Sequence, residues 1–209
     1  MTQASAGARK YAPATQRNRE PILEILQRVL PEHGTILEVA AGSGEHAVYF
    51  APKLAPRCWL PSDPDPENLA SIAAWRAQAG CADLLEPIAL DVTDPRWPVE
   101  QRPPEPAISA VVAINLIHIA PWSAAEGLMA GAGRILARGG VLYLYGPYRR
   151  GGAHTAPSNA EFDRSLKSRD PRWGVRDLEA VIELAGRQGL SHLRTESMPA
   201  NNLSVTFRR

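Results

Sequence analysis

This 209-residue sequence predicts an α/β fold: a doubly wound, mostly parallel sheet of seven strands that closes with an antiparallel pair at the C-terminus. Three observations predict it. Short apolar runs alternate with stretches of helical periodicity, the pattern left by parallel strands joined through crossover helices. The first apolar run ends in small residues and glycine, as a buried parallel strand does when it feeds a tight turn. The last two runs, residues 190–198 and 203–208, alternate around residues 199–202 like a closing antiparallel pair.

In chain order, residues 1–14 mix Ala, Gly, Ser and Thr without periodicity and predict a mobile segment ahead of a single domain over residues 15–209. Within that segment Arg9, Lys10 and Tyr11 are candidates to order over a ligand. Ile22, Ile25, Leu26 and Val29 recur at three- and four-residue spacing, which predicts a helix over 17–30 with Pro21 in its first turn. Residues 35–40 are the first strand, followed by a helix over 44–54. Residues 58–61 are a second strand that stops at Ser62-Asp63-Pro64-Asp65-Pro66, where proline forbids further pairing and Ser or Asp can cap a helix running to about residue 79. Strands are predicted over 84–90 and 107–116, the latter almost wholly apolar and so buried on both faces. A helix over 122–137 ends at Arg138-Gly139-Gly140, ahead of a fifth strand over 141–145. Residues 148–172 are polar and glycine-interrupted, a candidate active-site flap. Residues 175–188 are again helical.

Composition narrows the function classes. With 23 basic and 22 acidic residues the net charge is +1, so no global field draws the chain onto nucleic acid or an anionic membrane; a small neutral or zwitterionic partner fits better. Cys58 and Cys81 lie in no metal-ligand spacing, and no structural metal is expected. No stretch approaches the roughly 18 apolar residues of a membrane span, and a cytoplasmic location is the default expectation.

Ligands in such sheets collect beyond the carboxyl ends of the strands. There the first strand runs into Glu38-Val39-Ala40-Ala41-Gly42-Ser43-Gly44-Glu45-His46. Gly42 and Gly44 let backbone amides approach a ligand, and the helix N-terminus that follows favours a carboxylate. A plain chain reversal is the other reading of the glycine pair. Asp63 ends the second strand, where a carboxylate can accept from both hydroxyls of a ribose. Asp91 follows the third, where it can accept from an adenine amino group. Each acid can also serve as a helix cap or turn residue.

Taken together, I-L-E-V-A-A-G-S-G, S-D-P-D and A-L-D-V resemble the class I S-adenosylmethionine-dependent methyltransferases over nearly the whole chain. More closely, R-K-Y-A-P-A-T-Q-R-N-R-E-P-I-L, E-V-A-A-G-S-G-E-H, N-L-I-H-I-A-P-W and L-Y-G-P-Y resemble a small methyltransferase-like family of unknown function. The resemblance implies a Rossmann-like methyltransferase fold that binds S-adenosyl-L-methionine. Glu38, Gly42 and Gly44 would line its methionine end, Asp63 its ribose, and Asp91 with Val92 its adenine. Ala40, where the general pattern has glycine, and Asn115 complete the implied cofactor contacts. By the same analogy, residues after the fourth strand face the reacting methyl, which makes His118 and Trp122 the first choices for the substrate wall.

His118 is also the candidate general base, because imidazole titrates near neutral pH, and a hydrogen-bonded structural histidine is its other reading. Tyr148 is the second catalytic candidate. Tyr11, Arg17, Asn18, Tyr148, Asn159 and Trp173 are further candidates for substrate contacts, with Asp163 and Arg169 also in the flap. The expected activity is methyl transfer to a small-molecule N, O or S acceptor, by positioning and exclusion of water. The signature of amino-directed nucleobase methyltransferases, D-P-P-Y or N-P-P-Y, is absent. Two alternatives stand beside this: an NAD-dependent oxidoreductase, for which the third glycine position holds Ala47 and no Tyr-x-x-x-Lys is present, and a non-catalytic scaffold on the same fold.

Overall fold

The computed structural model describes residues 8–209; the first seven residues of the predicted mobile segment lie outside the described residues. Seven strands form one sheet, in the order β3-β2-β1-β4-β5-β10-β9 with ranges given below. Contacts divide the chain into two units, one of residues up to 91 with 96–112, the other of 92–95 with 113–209.

The first unit holds α1 (Pro13–Val29), β1 (Thr35–Val39), α2 (Glu45–Phe50), β2 (Cys58–Asp63), α3 (Pro66–Ala79), β3 (Ile88–Ala89), α4 (Pro98–Gln101) and the opening residues of β4 (Ile108–Ile114). β1 is buried at every residue, as its aliphatic sequence requires of a strand covered on both faces. It pairs in parallel with β2, Thr35 opposite Cys58 and Glu38 opposite Pro61. Phe50, Leu54 and Trp59 bury their full side chains in the core of this unit. The helix starts follow the sequence chemistry. Pro66 opens α3 behind Asp65, whose carboxylate accepts from Glu67 N at 2.8 Å.

Three first-unit expectations are corrected. α1 begins at Pro13, so Pro21 lies mid-helix rather than in the first turn. Its missing N–H leaves the Arg17 carbonyl without its i+4 donor, on an exposed face of the helix. The helix predicted over 44–54 is cut at Phe50 and continues as a short 3-10 turn over Ala51–Lys53, because Pro52 interrupts it. The strand predicted over 84–90 shrinks to two residues plus a bridge between Trp59 and Leu84, since Pro87 sits in the middle of the run and cannot donate to the ladder.

The second unit holds the end of β4, α5 (Trp122–Ile135), β5 (Val141–Gly146), β6 (Tyr148–Arg150), β7 (Ala153–His154), α6 (Pro157–Arg169), β8 (Arg176–Asp177), α7 (Leu178–Arg187), β9 (Ser191–Met198) and β10 (Asn202–Arg208). β10 lies antiparallel to both β5 and β9, the closing pair that the sequence predicts. β4 stops at Ile114 because Asn115 turns into a left-handed conformation, φ 61°. The greatest departure is the flap. Residues 148–172 form ordered structure: β6 pairs with β7 and β8 in a small three-stranded sheet, and α6 spans thirteen residues. Sequence periodicity misses α6 because two of its three buried positions are polar, Asn159 and Asp163 beside Leu166. Asp163 faces inward and accepts from Val175 N at 2.8 Å and Lys167 Nζ at 2.6 Å. Among the described residues no helix is long and apolar enough to cross a membrane.

Hydrogen bonding to Lys167 and Val175 holds the Asp163 carboxyl below its usual range, against the opposing effect of burial. Its contribution to stability is therefore full above the unfolded-state pKa and is lost as pH falls through the folded one. Asp163→Asn is expected to destabilise the chain by about 1–3 kcal/mol at pH 7 and to speed amide exchange over residues 157–175, measured by denaturant melts and hydrogen-exchange mass spectrometry. At pH 3 the gap between variant and parent should narrow.

Candidate functional site

In the first unit the tips of β1 and β2 stay joined past their last paired residues. Ala41 N donates to Ser62 O, Ser62 Oγ to Glu38 O, and Gly42 N to the Asp63 carboxylate Oδ2, each at 2.9 Å. The chain reaches this arrangement by turning at Ala40, φ 54°, a left-handed conformation that costs an L-residue roughly 1–2 kcal/mol. The two glycines then divide their roles. A Cβ on Gly42 would meet nothing within 4 Å, so this backbone is open to a ligand. A Cβ on Gly44 would stand 2.9 Å from Ile72 Cα, so this glycine serves the close packing of the loop on α3. α2 is only six residues long, and the anion affinity expected of a helix N-terminus rests mainly on the individual amides of the turn.

Asp63 is buried and accepts three hydrogen bonds. Oδ1 takes Asp65 N and Asn68 Nδ2, both at 3.0 Å, and Oδ2 takes Gly42 N. With roughly two lone pairs per oxygen, Oδ1 is filled and Oδ2 keeps one acceptor position open. Glu38 lies beneath the turn, 1% exposed, and accepts from Trp59 Nε1 at 2.8 Å. Burial, and to a lesser degree the neighbouring Asp63, push its carboxyl up to about 8, partly opposed by that indole bond. It therefore carries its proton at neutral pH.

Residues 10–12 lie across the same loop. Lys10 N donates to Ser71 Oγ, which donates to Ser43 O, both at 2.7 Å; Lys10 Nζ reaches Asn68 Oδ1 at 2.9 Å; and Ala12 N bonds the Glu45 carboxylate. Tyr11 sets its ring edge-on to Trp75 at 5.2 Å and remains exposed.

In the second unit, Asn115 N donates to Tyr145 O at 2.8 Å, and a short 3-10 turn, Leu116–His118, follows. His118 is fully buried, its ring edge-on to Tyr148 at 5.0 Å. The imidazole presses on bare backbone, since a Cβ on Gly146 would come within 2.6 Å of Nε2. His118 Nδ1, His118 Nε2 and Tyr148 Oη are all buried without a hydrogen-bond partner. Burial, reinforced by the Arg176 guanidinium, lowers the imidazole to about 3, so it stays neutral with one nitrogen lone pair free. Burial raises the Tyr148 phenol, which keeps its hydroxyl proton and cannot serve as a phenolate base.

Residues 9–209 match the family described as "Protein of unknown function (DUF938)". The chain belongs to that family. Among solved structures it is similar to an O-methyltransferase family protein from Burkholderia thailandensis (14% identity, TM-score 0.77, covering 94% of this chain and 57% of that one) and to a putative O-methyltransferase from Nostoc punctiforme (16%, 0.78, 94% and 57%). It is also similar to human N-acetylserotonin methyltransferase in complex with SAM (12%, 0.74, 94% and 52%). The chain of this DUF938 member spans little more than half the length of those proteins, and at such identity the likeness establishes a shared Rossmann-like methyltransferase fold.

Within this DUF938 chain the predicted residues fall into distinct surroundings. Gly42 and Asp63 meet directly, and Glu38, Ala40 and Gly44 shape the turn around them. Asp91 is exposed two residues beyond β3, with Val92 buried beside it. His118, Tyr148 and Asn115 cluster about Gly146. Asn18 is taken up by His46, whose Nε2 lies 2.8 Å from its Oδ1, and Asn159 Nδ2 donates to Thr155 Oγ1 and Asn201 O. Both therefore tie elements together. Arg17 is exposed on α1, Trp122 lies half-buried under Arg176, and Trp173 under Arg169. Sequence reasoning missed Asn68, whose place five residues after Asp63 on the next helix was a readable signal, and Gly146, whose role depends on a residue 28 positions away. A groove of about 470 Å³ beside α5, lined by Thr93, Ser123, Glu126, Arg134 and Arg187 among others, contains none of the predicted site residues.

Ala40→Gly relieves the left-handed turn and should raise stability by up to about 1 kcal/mol, after the added chain entropy of glycine, in a urea melt. Glu38→Gln should leave the melting temperature nearly unchanged at pH 5 and raise it at pH 8.5. Between the ordinary carboxylate value of 4.5 and about 8 the folded chain binds the extra proton, so the parent loses stability as pH rises and the amide variant does not.

Proposed function

We propose that the chain binds S-adenosyl-L-methionine at the turn after β1 and transfers its methyl group to a hydroxyl of a small molecule. The buried, unpartnered polar atoms of His118 and Tyr148 carry the hydroxyl assignment. Leaving such atoms unsatisfied costs about 1–3 kcal/mol each, and a hydroxyl that accepts from Tyr148 Oη and donates to one imidazole nitrogen would satisfy two of the three. The O-methyltransferase neighbours support the same choice of acceptor atom.

The residues of the first unit fit an adenosyl compound. Gly42 offers open backbone, and Asp63 Oδ2 offers one acceptor position to a ribose hydroxyl. When bound, the cofactor supplies an electrophilic methyl on a cationic sulfur. A neutral hydroxyl becomes strongly acidic as its oxygen takes the methyl and the carbon–sulfur bond breaks, and at that stage even a weakly basic neutral imidazole nitrogen can take the proton. His118 holds the required unprotonated form, and Tyr148 Oη donates a hydrogen bond that fixes the acceptor oxygen.

Calorimetry with S-adenosylhomocysteine tests the cofactor half. The wild-type chain should bind it, and Asp63→Ala should weaken binding tenfold or more, equivalent to about 1.4 kcal/mol. Absence of binding to the wild-type chain, or fluorescence-detected binding of NADH in its place, overturns the proposal. His118→Ala should keep the affinity for S-adenosylhomocysteine and lower product release from a panel of small phenols and alcohols by about 100-fold or more.

A further inference from the structure

We infer that Arg176 is the positioning residue for His118: its guanidinium holds the backbone on both sides of the imidazole and so fixes where the unpartnered ring nitrogens point. Nε donates to Ile117 O at 2.9 Å and one terminal nitrogen to Ala120 O at 2.6 Å, the two carbonyls bracketing His118. The same terminal nitrogen reaches Arg172 O at 2.9 Å. From the residue two before it, Gly174 N donates to His118 O at 3.0 Å. The segment 172–176 thus donates to three carbonyls around the ring-bearing turn, those of Ile117, His118 and Ala120.

The turn needs such a brace. It is a three-residue 3-10 turn entered through the left-handed Asn115, and its own hydrogen bonds are His118 N to Asn115 O at 3.3 Å and Ile119 N to Leu116 O at 3.1 Å. So short a turn does not hold its geometry unaided, and its end carbonyls need outside donors. A guanidinium presents several N–H groups in a rigid plane and satisfies two carbonyls at fixed separation, which a lysine ammonium on a flexible stem cannot reproduce.

Two titratable groups face His118 among the described residues, Tyr148 from β6 and Arg176 from β8. Asp163 on α6 and Arg149 on β6 act in turn on Arg176 with opposite signs. The guanidinium therefore also disfavours the imidazolium, second to burial itself. The bracket fixes the orientation of the ring, while the charge keeps it neutral and makes its free nitrogen a weaker proton acceptor.

The inference rests on the reading of His118 as the proton acceptor, and its deciding readout is taken on the free protein. Full-length protein labelled in its histidine rings is compared by NMR at pH 7 with Arg176→Lys and Arg176→Gln, the His118 signals being assigned by their loss in His118→Gln. Both variants should shift or broaden the His118 ring signals, the glutamine more than the lysine, while His33, His46, His154 and His192 keep theirs and S-adenosylhomocysteine affinity stays within twofold. Unchanged His118 signals in both variants overturn the inference, as does loss of all five sets of signals, which would make Arg176 a residue of the fold at large. If the wild-type chain fails to bind S-adenosylhomocysteine, the functional reading falls instead, whatever the ring signals show.

Discussion

The hydrogen bond from Gly42 N to the Asp63 carboxylate is the constraint on which the candidate cofactor site depends. It links the tips of two parallel strands just where their ladder has ended, and it does so only because Ala40 accepts a left-handed backbone. The same carboxylate gathers Asp65 N and Asn68 Nδ2, so the turn, the second strand tip and the start of α3 converge on one acidic group. Beneath it Glu38 carries its proton. Burial, with the nearby Asp63 as a smaller contribution, raises the Glu38 carboxyl. The outer acid is thereby left to meet polar donors, and the inner one acts as a hydrogen-bonded core group.

The second unit solves a different problem. A polar ring is placed at zero exposure with no partner for either nitrogen, an arrangement that folding alone does not favour. What offsets it is external to the ring: Arg176 and Gly174 satisfy the carbonyls of the turn, and Gly146 supplies the space a side chain would have filled. Local cost of this kind is accepted where a ligand is to complete the bonding.

Much of the fold was legible because its signals are local. Short apolar runs such as residues 35–39 and 141–146, too short for helices and bounded by glycine, read as buried strands, and proline and glycine punctuate the helices between them. The failures share a cause. Pro87 reduced a predicted strand to two residues, and α6 escaped notice because Asn159 and Asp163 fill core positions by hydrogen bonding rather than by apolar surface. The candidate site divides in the same way. Gly42 and Asp63 were visible from the strand-end rule, whereas the separate task of Gly44 depends on Ile72, and the bracket around His118 on an arginine 58 residues further along. Spacing in sequence carries no trace of such contacts.

The fold and the hydroxyl assignment rest on independent grounds. Resemblance to methyltransferases at 12–16% identity fixes the path of the chain, but a shared fold hosts many chemistries. The choice of acceptor comes from the buried polar atoms. A site meant for a cationic amine would place a carboxylate against it. His118 and Tyr148 offer instead a neutral acceptor and a neutral donor, the pairing that a hydroxyl can answer with its own proton and lone pairs. The imidazole is held neutral mainly by burial, so the hydroxyl reading depends on the packing around the ring as much as on the ring itself.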